Sequence, residues 1–490
     1  MSRFSIVEAI RERAQPGAVA LVQKDRSLTY QELFQQTDAL AAQIRPHLAV
    51  EPGRIDRLRV GVHYPSCLDY VPLALSTLAA GACFVPIPEE LAEEEKRELL
   101  TRTALDLVLV IESAAAWLPE QAQRCGQLEV NGHAVVIAKV PPTPDTGFPR
   151  DAFEALNPAF IRFSSGTTGK SKGVLLSHES LLQRITSANE GLRIGPGDRV
   201  LWVLPMAHHF AVSIVLYLHH GATTIIEETH LGEDLLRAGA EQKASVMYGS
   251  PVHYRQLVEA PDVGSWTTLR LAVATAAALD AATAEKFRSR FGRDLVQGLG
   301  IIELGLPVLN LAGAVEAPEA IGLPLPAYEC LLKDDSGCEP ATGEPGEICL
   351  RGPGMFDAYL DPWLPRAQVV DAQGWFATGD LGRRDAAGRV FICGRRKTLI
   401  NVGGMKVFPE EVEAVLDAHP KVQRSLVEAR LHPLYGEVPV ARYIASPEGA
   451  PTAMELRNHL RAHLAGYKIP LMFNAVPELP LTASGKLRRA

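Results

Sequence analysis

Through residues 1–390, short apolar runs rich in β-branched residues alternate with stretches of helical period. Runs at 108–111, 135–137, 224–226 and 245–247 predict strands, as do 159–163 and 173–176. Residues 178–192 predict a helix, with Leu181, Leu182, Ile185 and Ala188 on one face and Ser177 at its cap. This alternation predicts an α/β architecture of mixed, largely parallel sheets. Residues 351–387 are rich in Gly, Pro and Asp, with turn signals at Gly352-Pro353-Gly354 and Asp361-Pro362. Beyond Lys397 the texture changes. Pro409, Glu410 and Glu411 open a helix to 418, with proline at the first position and acids in the first turn. Strands at 422–428 and 438–444, a helix over 454–464 and a strand near 473–476 follow. The pattern predicts a large multi-subdomain N-terminal domain over 1–396 and a small α+β domain over 397–490.

Two uncharged runs, 70–88 and 200–226, raise the question of a membrane span. Pro72, Gly81, Pro86 and Pro88 break the first, and Pro205, Gly221 and four histidines break the second. A spanning helix of about 20 residues tolerates such breaks poorly, so each reads as a core helix leading into a buried strand. At the N-terminus Glu8, Arg11, Glu12 and Arg13 lie within an apolar pattern, an amphipathic helix rather than a signal peptide.

With 490 residues the chain exceeds one compact core, and two or more domains are expected. A net charge of −8 argues against a nucleic-acid partner. The seven cysteines are scattered and lack C-x-x-C spacing, which fits a reducing cytoplasm without structural disulfides or a zinc site. Residues 397–490 hold 12 Lys and Arg against 9 Asp and Glu, so a small basic domain stands beside a large acidic one.

The richest chemistry lies at Phe163-Ser164-Ser165-Gly166-Thr167-Thr168-Gly169-Lys170-Ser171-Lys172-Gly173. Its glycines present backbone N–H groups, its hydroxyls add donors and its lysines add charge, an inventory suited to a polyphosphate. A Walker A loop would need glycine at 164, where serine stands. This loop resembles the phosphate-binding signature of the adenylate-forming superfamily of acyl- and aryl-CoA synthetases and peptide-synthetase adenylation domains. Further motifs follow in that family's order: 75–87, Gln297-Gly298-Leu299-Gly300-Ile301-Ile302-Glu303, Gly374–Asp380 with Gly394-Arg395-Arg396-Lys397, and 479–486.

The resemblance implies that ATP and a carboxylic acid form acyl-AMP and pyrophosphate, and that a thiol then takes the acyl group. Two anions must meet, so cations and dipoles are needed where charge builds up. Ser164, Ser165, Gly166, Thr167, Thr168, Gly169, Lys170 and Lys172 would hold phosphates, and Glu303 would bind Mg²⁺. Asp380 would accept from the ribose hydroxyls beside Arg395, with Ala276, Leu299 and Gly300 completing the nucleotide set. Lys486 would bring its charge to the carboxylate and the α-phosphate. Lys397 would be the hinge about which the small domain rotates, and Gly403 and Gly404 would line a thiol tunnel.

His208 matches a histidine or aromatic residue near the reacting carboxylate. Amino-acid activators usually have an acid at the next position, to pair with the substrate's ammonium; here His209 stands there, which argues against an α-amino acid. The remaining pocket candidates, Phe210, Ser213, Ile214, Tyr248, Gly249, Ala274 and Gly298, are mostly apolar or small and imply a fatty or plain aromatic acid. Leu299 replaces the aromatic that usually stacks on adenine, and Ile302 replaces a threonine that usually meets the α-phosphate. The chain ends four residues after Lys486, so the thiol is expected from another molecule: coenzyme A first, the phosphopantetheine arm of a carrier protein as the alternative. A monomer or homodimer is expected. Loss of catalysis and a luciferase-like oxygenase are the competing readings.

Overall fold

A computed structural model describes residues 3–48, 58–141, 149–163, 172–261, 265–402, 405–432, 436–447, 449–481 and 487–489. The chain forms two compact units. The first is built from the N-terminal stretch to 163 with Lys172–Glu329 and Arg351–Gly374, the second from Cys330–Leu350 and the chain from Trp375 onward. Two separate segments thus feed the second unit, in contrast to a single cut at 396/397.

The first unit holds two nine-stranded sheets. In one, Arg199–Trp202, Thr223–Ile226, Val246–Gly249, Leu271–Ala274 and Leu295–Ile301 run parallel, with antiparallel strands added at both ends. In the other, Arg59–His63, Cys83–Pro86, Leu107–Ile111 and Pro158–Phe163 run parallel within a mixed sheet. Parallel strands are covered on both faces and read as continuous apolar runs, as Leu107–Ile111 does. Val85, Val108, Val110, Ile161 and Leu175 pack with Leu100, Trp117 and Phe153 in one core cluster. Each such side chain contributes roughly 1.5–3 kcal/mol when fully buried.

Both uncharged runs are core elements. Tyr70–Ala79 is a helix leading into Cys83–Pro86, with Pro72 in its first turn, where a proline is tolerated. Residues 206–219 form a helix that widens to a π-turn over Phe210–Ile214 and leads into Thr223–Ile226. Among the described residues no helix is long and apolar enough to cross a membrane.

The second unit joins a four-stranded sheet, which carries Phe376–Arg384 and Val390–Arg395, to a five-stranded sheet flanked by Pro409–Asp417 and Ala453–Arg461. Its core gathers Ile400, Val407, Val412, Leu416, Val427, Ala441, Leu456 and Leu460. The protein is therefore α/β, with a large mixed-sheet unit and a smaller α+β one.

Candidate functional site

Four neighbouring parallel strands of the first sheet end at one edge, and the sequence-predicted residues follow those ends. His208, His209 and Phe210 come after Arg199–Trp202; Tyr248 and Gly249 close Val246–Gly249; Ala274 closes Leu271–Ala274 with Ala276 in the next turn; Gly298, Leu299 and Gly300 finish Leu295–Ile301. The register pairs Trp202 with Tyr248, Gly249 with Ala274, and Ala274 with Gln297. Open α/β sheets bind ligands at the carboxyl ends of their strands. Ala276 holds a φ of +72°, a backbone strain for a residue with a Cβ, at this same edge.

Under the edge lies an aromatic layer. Trp202 stacks on Tyr248 with centroids 5.9 Å apart, and His209 meets Trp202 edge-on at 5.5 Å. Phe210 packs against Phe84 and Tyr70. Phe210, Ser213, Ile214, Tyr248 and Ala274 are all buried, so these predicted pocket residues form a filled floor.

Glu303 sits in the tight turn between Leu295–Ile301 and Gly305–Leu309. The Tyr359 hydroxyl donates to its Oε1 at 3.1 Å, and Lys172 places Nζ 4.4 Å from the Tyr359 ring centroid. Burial and the charge of Glu303 push the Tyr359 phenol up, so it stays protonated and donates. The turn itself is braced by Arg184, which donates to the carbonyls of Ile302 (2.9 Å), Glu303 (3.4 Å) and Gly354 (2.7 Å). Gly354, at φ +67°, lies so close that a Cβ there would stand 2.4 Å from the Arg184 amide nitrogen. Leu299 and Ile302 are both buried.

His208 pairs through Nε2 with Glu90, and its carbonyl accepts from Arg162. Burial would raise the Glu90 carboxyl, but His208 outweighs it and holds the group below the ordinary range. Glu90, Arg162, Arg184, Trp202 and Tyr359 were not singled out from sequence. For Arg184 the signal was present: it falls on the stripe of Leu181, Ile185 and Ala188, where a charged residue must find buried partners.

In the second unit Asp380 and Arg395 face each other across paired strands, with Arg395 Nε 3.0 Å from Asp380 Oδ1. Asp380 is buried while Arg395 is half-exposed at the side chain. The strand just before Asp380 is fixed by Thr378 Oγ1 donating to Ile348 O (2.8 Å) and by Gly379 N–H donating to Glu347 Oε1 (3.2 Å). Arg396 binds Glu347 and Asp335 at 2.8 and 3.0 Å, and Lys406 binds Asp335 at 2.6 Å. Lys397 is exposed in the short turn Arg396–Thr398 between these anchored neighbours. Ser164 to Lys170, Gly403, Gly404 and Lys486 lie outside the described residues.

Residues 9–360 match the model of the AMP-binding enzyme family, and residues 411–486 match that of the AMP-binding enzyme C-terminal domain. The 3-[(3aS,4S,7aS)-7a-methyl-1,5-dioxo-octahydro-1H-inden-4-yl]propanoyl:CoA ligase of Mycobacterium tuberculosis is 30% identical, over 97% of this chain and 96% of its own. A feruloyl-CoA synthase from an Amycolatopsis species is 29% identical over 97% of this chain and 96% of its own. Among solved structures, ATP-bound MatB from Rhodopseudomonas palustris shares the fold at a TM-score of 0.82, with 24% identity across 99% of this chain and 97% of that one.

Proposed function

This chain belongs to the AMP-binding enzyme family of the adenylate-forming superfamily, and we propose on that footing that it is an AMP-forming acid–thiol ligase. It uses ATP to convert a carboxylic acid to acyl-AMP and passes the acyl group to coenzyme A. The observation that carries this reading is the gathering of His208, Tyr248, Ala274, Ala276, Gly298 and Gly300 at one sheet edge.

In the first half-reaction a carboxylate oxygen bonds to the α-phosphorus and pyrophosphate leaves with the bridging electron pair. Lys172 and the loop before it would hold phosphates, and Lys486 would offset the repulsion between the two anions. Glu303 suits Mg²⁺: one oxygen is anchored by Tyr359, and the other carries no hydrogen bond among the described residues. No group of three or more His, Cys, Asp or Glu able to hold a metal occurs among those residues. When bound, Mg²⁺ would neutralise charge on the phosphate oxygens. Asp380 and Arg395 would contact the ribose. In the second half-reaction residues 397–490 would turn about Lys397 and present Gly403 and Gly404 to the thiol.

The acid is fatty or aromatic and not an α-amino acid, since no carboxylate stands at 208 or 209 to pair with an ammonium. The buried floor beneath Trp202 favours compact tails over long ones. Coenzyme A ranks first as acceptor, with the phosphopantetheine arm of a carrier protein as the alternative; a cytoplasmic location and a monomeric or homodimeric state complete the proposal. Acid-dependent ATP–pyrophosphate exchange across short, long, aryl and amino acids tests it, with acyl-AMP detected by mass spectrometry. Exchange with amino acids alone would overturn the substrate assignment.

A further inference from the structure

Arg162 is the penultimate residue of the strand Pro158–Phe163. Its neighbours Ile161 and Phe163 pack into the apolar cluster around Leu175 and Leu360, so strand alternation sends Arg162 to the opposite face. There it meets the His208 carbonyl, which accepts from its Nη1. Its Nε is buried and has no hydrogen-bond partner among the described residues. Glu303 and Glu90 lie in electrostatic range, yet neither forms an ion pair with it among those residues. Burial pulls the guanidinium pKa down to about 10 against the pull of both carboxylates, so it remains charged at neutral pH.

A guanidinium carries five N–H donors in a fixed fork that matches carboxylate and phosphate oxygens. Holding such a group half-buried, with a buried Nε that meets no acceptor among the described residues, disfavours the folded state unless an anion arrives. The position also fits the chemistry. His208 would stand near the reacting carboxylate, Glu303 near the phosphates, and Ile302 offers no hydroxyl to the α-phosphate.

We propose that Arg162 binds an oxyanion of the reacting pair, either the acid's carboxylate or the α-phosphate it attacks. This rests on the adenylate-forming reading above. Arg162 keeps its proton throughout: the new bond joins carboxylate oxygen to phosphorus, the breaking bond releases pyrophosphate, and the guanidinium stabilises the charge between them.

The test uses the full chain with Arg162→Met and Arg162→Lys, an acid found active with the wild type, and AMP and adenosine as binding probes. Arg162→Met is expected to lower kcat/KM for ATP–pyrophosphate exchange about 100-fold, the scale of losing an oxyanion donor. Its Tm should stay level or rise, because an under-satisfied, half-buried charge is removed. Arg162→Lys should recover part of the activity. A reduced preference for AMP over adenosine assigns the α-phosphate; a raised KM for the acid with that preference intact assigns the carboxylate. Exchange in Arg162→Met within about threefold of wild type overturns the proposal. So does lost exchange with a lowered Tm in both variants, the mark of a structural arginine. A wild type that exchanges with no acid sinks the underlying reading itself.

Discussion

At Glu303 one hydroxyl decides how a carboxylate is presented. Tyr359 donates to Oε1 and at the same time offers its ring face to Lys172, so one side chain ties the predicted metal ligand to the end of the phosphate loop. A hydrogen bond to a charged group is worth roughly 1.5–3 kcal/mol, and 1.4 kcal/mol is about tenfold. Tyr359→Phe should therefore raise the Mg²⁺ concentration needed for half-maximal exchange by about tenfold. Glu303→Gln should lose about 100-fold in kcat, and EDTA should abolish exchange in the wild type. A magnesium titration of each variant checks this, and an unchanged Mg²⁺ dependence in both would remove Glu303 from the metal. Glu303 was legible because it stands in a motif; Tyr359 was not, because it lies 56 positions away and only folding brings it close. Arg162 is hidden for a related reason, since nothing in a short strand marks which face an arginine will take.

The elements were legible where one periodicity governs them. The helix His178–Leu192 starts at Ser177, whose side chain accepts from the Ser180 amide, as the hydrophobic stripe predicts. The strand predicted at 135–137 runs His133–Lys139, and that at 422–428 runs to His432, because pairing with a neighbour continues past the apolar residues that signal it. The π-turn at Phe210–Ile214 has no such signal; its first residue, Phe210, packs against Phe84. The N-terminal helix Ile6–Arg13 is held in a way composition could not indicate. The Ile6 amide donates to His178 Nδ1 at 3.2 Å, and the helix end brings Arg13 into range of His219 and His220. Burial lowers both imidazoles to about 4, with Arg13 adding to the effect, so both are neutral in the folded protein at pH 7. Unfolding returns them to the usual value near 6.5. The unfolded state then binds more protons between those limits, and stability is full above pH 6.5 and lost as pH falls toward 4. Urea midpoints measured from pH 7 to pH 4 should drop more steeply in the wild type than in His219→Gln. Equal slopes would show that these histidines do not govern acid unfolding.

For the whole molecule, function requires two reactions from one chain, and charge is divided unevenly along it. Residues 397–490 carry an excess of 12 basic over 9 acidic side chains, while the chain as a whole carries −8. If Lys486 serves only the step in which two anions meet, Lys486→Ala should lose acyl-AMP formation yet still make thioester from supplied acyl-AMP. If Lys397 is the pivot, Lys397→Pro should do the reverse, because proline fixes φ where rotation needs freedom. Measuring both half-reactions for both variants separates the roles, and parallel loss of the two in either would refute them. The same basic excess does not choose the acceptor. Coenzyme A brings a phosphorylated nucleotide and a carrier protein brings acidic helices, so attraction alone favours neither. The proposed reading ranks coenzyme A first. Free CoA at millimolar concentration should therefore yield thioester at least as fast as a holo carrier protein does. A high salt sensitivity of KM for CoA, with kcat unchanged, should accompany it, because screening weakens the encounter and leaves the thiol's attack on the anhydride untouched. Thioester on the carrier alone would reverse the ranking and make the basic domain a protein-docking surface.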